Sequence, residues 1–121
     1  MQVRVYYEDT DVGGVVYHSN YLKFCERARS ELFFERGMSP ILDEGAFVVR
    51  SLKADFLKPA VFGDLLDVKT EFVEMKAASL VLRQSVLRGG EKLFEAEVRL
   101  AFVNGGKPSK IPQSAALIFG S

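Results

Sequence analysis

The chain has 121 residues, 48% of them hydrophobic and 26% charged, which suits a single buried core and is too short for two domains. Sixteen Lys and Arg balance sixteen Asp and Glu, so the basic footprint of a nucleic-acid binder is excluded. A lone cysteine, Cys25, excludes an internal disulfide and a multi-cysteine metal site, and no apolar run has the length of a membrane span.

In chain order, Val3, Val5 and Tyr7 alternate with Gln2, Arg4 and Tyr6, which predicts a short opening strand. MQVRVYY lacks the continuous apolar run of a signal peptide, so a soluble, cytoplasmic protein is expected. Glu8 to Gly14 breaks the alternation with three acids and two glycines; Gly13 and Gly14 permit positive φ and close approach of backbone to a ligand. The period then changes. Tyr21, Cys25, Ala28 and Leu32 fall on one helical face, with Ser19 or Asn20 as the expected cap and Gly37 with Pro40 as the stop.

After a loop through Asp43 to Gly45, period two returns. Leu52, Ala54 and Phe56 alternate with Lys53 and Asp55 until Pro59; Leu66, Val68 and Phe72 form the next set. A run from Leu80 to Leu87 reaches the turn signal Gly89-Gly90, and Phe94, Ala96, Val98, Leu100 and Phe102 make the clearest strand. Asn104 to Lys110 reads as a polar loop, and the tail from Pro112 adds a weak final turn. The order β-α-β-β-β-β predicts an α+β fold: one long helix covering one face of a five-stranded antiparallel sheet, as one domain over residues 1–121. Leu65, Val73, Val81 and Leu87 put apolar surface on the second face as well, which calls for a partner, most simply a second copy.

The chemistry concentrates in YYEDTDVGGVVYHSNYLKFCERAR, Tyr6 to Arg29. A carboxylate loop feeding a helix start supplies a charged attacker, Asp11, next to unpaired N–H groups that suit an oxyanion. Asp9 reads as a residue that holds the turn and Glu8 as solvated. Cys25 and His18 share a helix face, but Cys25 lies on the core stripe, where a thiol is inert. DTDVGG fails as a calcium loop because Asn20 stands where a bidentate glutamate is needed. NGGKPSK fails as a phosphate loop because Pro108 follows Lys107, leaving Lys107 and Lys110 as solvated charge.

With loop and helix joined, the stretch resembles the hotdog-fold thioesterases, in particular the 4-hydroxybenzoyl-CoA thioesterase-like group and, within it, the Tol–Pal-associated acyl-CoA thioesterases. AFVVRSLKADFLKPAVFGDLL and the strand order extend the resemblance, which weakens after Asn104. The resemblance implies a long helix wrapped by a curved antiparallel sheet, a homodimer or tetramer with sites at the subunit interface, and hydrolysis of acyl-CoA to free acid and CoA. It implies Asp11 as catalytic nucleophile or general base and the His18 backbone N–H as oxyanion donor, with the His18 ring positioning water or carboxylate. Substrate contacts fall on Tyr7, Gly13 and Glu26; Glu26, matched to a residue that reaches the acyl pocket, either shapes that pocket or pairs with Arg29. No metal or redox cofactor is called for. Two other readings stand beside this one: a hotdog dehydratase acting on groups borne by an acyl carrier protein, and, from the family's link to a cell-envelope complex, a non-catalytic acyl-binding or scaffold protein of such a complex.

Overall fold

The computed structural model describes residues 1–120. The opening alternation forms β1 (Gln2–Arg4), followed by a single 3-10 turn at Tyr7–Asp9 and the long helix α1 (His18–Phe34). Two short strands frame the sheet beyond the five expected: β2 (Ile41–Leu42) before β3 (Gly45–Phe56), and β7 (Lys107–Pro108) after β6 (Glu91–Asn104). Between them run β4 (Leu65–Met75) and β5 (Ser79–Arg88), and the tail closes as a helix, α2 (Gln113–Ile118), where only a weak turn was expected.

The sheet is antiparallel throughout and ordered β1-β4-β5-β6-β3-β2, with β7 on β6. Gly89 and Gly90, at φ 55° and 87°, make the tight β5–β6 hairpin turn that a side chain would resist. Irregularities at Val49/Ser51, Phe72/Glu74 and Val86/Leu87 interrupt three of the ladders. Such bulges bend strands and increase twist, and they help curl the sheet about α1. The core joins Phe24, Cys25, Ala28 and Phe33 of α1 to Leu66 and Val68 of β4, Leu80 and Leu82 of β5, and Phe94 to Phe102 of β6.

Two expectations need correcting. Leu32 is only half-buried, while Phe24 and Phe33, outside the expected stripe, are fully packed, because the curled sheet and α2 touch more than one side of the helix. Of the four residues expected to carry surplus apolar surface, Val81 and Leu87 are buried within the protomer, and only Leu65 and Val73 are exposed. The apolar surplus lies instead on β3, where Val48, Val49, Leu52 and Phe56 are each 42–53% exposed. One edge of β3 pairs with β6 along its length; the other meets β2 only at Gly45 and Ala46 and is otherwise unpaired among the described residues. No helix among the described residues is long and apolar enough to cross a membrane.

Candidate active site

The Asp9–Tyr17 segment folds back on itself as a miniature hairpin. Thr10 and Val16 pair across it, the Asp11 N–H donates to the Val15 carbonyl at 2.9 Å, and the Gly14 N–H donates to the Asp11 carbonyl at 3.0 Å. Gly14 takes φ 82°, the one place in this turn that demands glycine. One further bond closes the hairpin and two tie it to its surroundings. The Asn20 amide and the Tyr17 N–H both donate to the Asp9 carbonyl, at 2.8 and 2.9 Å, and the Val16 N–H donates to the Ala60 carbonyl at 2.9 Å. Ala60 is held in turn by its own N–H, which donates to the buried Tyr21 hydroxyl at 3.0 Å.

Within this frame the two aspartates of DTD differ. One Asp9 carboxylate oxygen accepts from the Tyr6 N–H at 2.9 Å, so Asp9 holds the turn. Asp11 is exposed; its Oδ1 accepts from the Gly13 N–H at 2.8 Å, and its other oxygen has no partner among the described residues. A Cβ at position 13 would sit 3.2 Å from that Oδ1, so glycine there lets the carboxylate close onto the backbone.

The helix start is also unoccupied. Neither Ser19 nor Asn20 caps α1: the cap position is Tyr17, with no side-chain cap bond, and Asn20 is spent on the hairpin. Among the described residues nothing accepts from the backbone N–H of His18 or Ser19, so the orphan donors of the first turn stay open to a ligand. Asp11 and His18 line one cavity of about 330 Å³, walled by Val15, Tyr21, Phe56 and the Leu57–Pro59 segment. The exposed His18 ring packs against Tyr17 at 4.3 Å and edge-on to Phe56 at 6.3 Å between centroids.

The other candidates lie at different distances from this centre. Gly13 touches the Asp11 carboxylate through its N–H. Tyr7 is 79% exposed and stacks on Phe62 at 4.2 Å, outside the walls of the Asp11 cavity. Glu26 lines the next cavities along α1, not this one. Tyr21, Phe56 and Lys58 escaped sequence reasoning as site residues; Tyr21 looked like core, and nothing local shows that the segment after β3 returns to the helix start. Cys25 is buried, and desolvation pushes its thiol up to about 11, with Arg29 pulling the other way. At neutral pH it is a protonated core residue, not a nucleophile.

Comparison with known proteins gives a consistent result. The family described as the thioesterase superfamily matches residues 13–95. An acyl-CoA thioesterase, YbgC of Helicobacter pylori, is 46% identical over 92% of this chain and 90% of its own. Among solved structures, a probable thioesterase from Bartonella henselae is 38% identical, covers 93% of this chain and 97% of its own, and superposes with a TM-score of 0.87. A Thermus thermophilus thioesterase solved with coenzyme A and Zn is 27% identical, with coverages of 100% and 96% and a TM-score of 0.85.

Proposed function

The chain belongs to the thioesterase superfamily, and from that premise we propose that it hydrolyses acyl-CoA thioesters with Asp11 and the first turn of α1. One observation carries this reading: Asp11, whose carboxylate keeps a free oxygen, and His18, whose backbone N–H is unpaired among the described residues, line the same cavity. The thioester carbonyl oxygen docks at the His18 N–H, where developing negative charge meets a preorganised donor and the helix dipole. Asp11 then acts on the carbonyl carbon. As nucleophile it forms a C–O bond as the C–S bond breaks, CoA leaves as thiolate, and water hydrolyses the mixed anhydride. As general base it takes the proton of an attacking water, and the same C–S bond breaks.

The acyl chain extends from the cavity along the seam between α1 and β3, whose walls are largely apolar. A second copy completes the molecule: the unpaired edge of β3 and its exposed Val48, Val49, Leu52 and Phe56 favour antiparallel pairing with the same strand of a partner. The resulting dimer, alone or paired into a tetramer, covers the seam.

Release of free thiol from a panel of acyl-CoAs tests the reading. Turnover is the expected result; binding without thiol release leaves an acyl-binding or scaffold protein and contradicts it. A single turnover in heavy-oxygen water bears on the two routes: label in the Asp11 carboxylate identifies a nucleophile whose anhydride water opens at the Asp11 carbonyl carbon, whereas a general base sends the label only into the released acid.

A further inference from the structure

The seam beyond the Asp11 cavity is not uniformly apolar. Two further cavities, of about 390 and 270 Å³, follow one another along α1 and share the same wall residues Glu26, Arg29 and Val49. Arg29 is a half-buried cation there, with the exposed Glu26 carboxylate on the same wall but in no ion pair with it among the described residues. Its Nη1 donates to the Gln84 Oε1 at 2.8 Å, and among the described residues no carboxylate forms an ion pair with it. Gln84, fully buried, is itself fixed: its amide donates to the Cys25 carbonyl at 2.9 Å and the Thr70 hydroxyl at 3.0 Å. The guanidinium is therefore held by a neutral acceptor, with its remaining donors unused.

Burial lowers the pKa of Arg29, opposed first by Cys25 and then by the Glu26 carboxylate. Glu26 is exposed and accepts from the Ser30 hydroxyl at 2.9 Å, so it acts on Arg29 through space and leaves the guanidinium donors to a ligand. Lys23 lines the first of the two cavities and adds positive charge. An unpaired charge in a partly desolvated wall is costly, and a ligand carboxylate would remove that cost through charge-assisted, bidentate hydrogen bonds.

We infer that the seam carries an anion subsite at Arg29, and that the acyl groups it accepts best bear a carboxylate at the end remote from the thioester. This rests on the acyl-thioester reading above and names its substrate class. The register follows from the helix. Gln84 bridges Arg29 to the Cys25 carbonyl, so the guanidinium lies near the level of Cys25. At about 1.5 Å per residue that is roughly 10 Å along the axis from His18. An extended aliphatic chain advances about 1.25 Å per carbon with bonds of about 1.5 Å, so the carboxylate belongs roughly eight to ten carbons from the thioester carbonyl.

The test uses non-hydrolysable thioether analogues, so that it does not depend on turnover. Calorimetry compares S-decyl-CoA with the analogues carrying a terminal carboxylate or a terminal hydroxyl on the same chain. The wild-type protein is expected to bind the carboxylate analogue about tenfold more tightly than either neutral one, a charge-assisted margin. In Arg29→Met that ratio should collapse to about one, and Arg29→Lys should restore part of it as a point charge without the planar fork. Equal binding of the three analogues by wild-type protein overturns the subsite, as does a ratio that survives Arg29→Met. Thiol release from decanoyl-CoA is read in parallel: its absence tells against the thioesterase reading and leaves the binding ratio to judge the subsite.

Discussion

Asp9 and Asp11 have the same side chain, two positions apart, and the backbone treats them oppositely. Asp9 accepts from the Tyr6 N–H and anchors the hairpin through its carbonyl, whereas Asp11 keeps an oxygen free at a cavity mouth. That Asp11, Gly13 and His18 come together was legible because the loop and helix start are contiguous in sequence, whereas Tyr7 and Glu26, named with them, lie outside that cavity. Tyr21 was hidden by its place on the core stripe of α1, and Phe56 and Lys58 by their dependence on β3 and the segment after it returning to that helix start. Cys25 gives a check at this scale. Its thiol, raised to about 11 by burial, should resist iodoacetamide in the native protein at neutral pH and react on unfolding. The unfolded chain ionises near 9.0 while the folded one holds its proton, so this group's contribution to stability falls as pH rises from 9.0 toward about 11. Cys25→Ala should keep thioester turnover, with any loss following stability; a well-folded Cys25→Ala protein without turnover would contradict the Asp11 assignment.

α1 shows how far periodicity carries. Its span was readable to within a residue or two, since the pattern change near Ser19 and the stop at Gly37 are local signals. Its buried face was read too narrowly: Tyr21, Cys25 and Ala28 are buried as expected, but Phe24 and Phe33 are too, and Leu32 is not fully covered. A helix enclosed by a curled sheet buries a wider arc than one lying on a flat layer, and Phe33 meets α2 through Phe119 at 5.6 Å. Phe33→Ala is therefore expected to cost about 3–5 kcal/mol in denaturant unfolding, and Leu32→Ala less than about 2 kcal/mol. Equal midpoints for the two variants would mean that the packing of α1 has been misread. The strands were visible as alternation, but the start of β3 was not: GAFVVRS carries an almost continuous apolar run that does not declare a strand by period.

Over the whole molecule, the apolar outer edge of β3 is left unpaired beyond Ala46 among the described residues. β3 presents that edge with apolar side chains on it, a surface that natural sheets protect by pairing. Sedimentation at micromolar concentration is expected to show a dimer or larger species with little material near 13.5 kDa. Val48→Lys, on an exposed position of β3, should shift the distribution toward monomer. A fully active wild-type monomer would remove the shared-sheet arrangement. Asp11→Asn tests the proposed thioester hydrolysis most directly. The substitution keeps the side chain's size and its capacity to accept from Gly13 but removes basicity and nucleophilicity. With fold and assembly intact, kcat for acyl-CoA hydrolysis should fall by about 10²–10⁴ or more, with a much smaller change in substrate binding. A folded, assembled Asp11→Asn protein with near wild-type kcat would contradict the account.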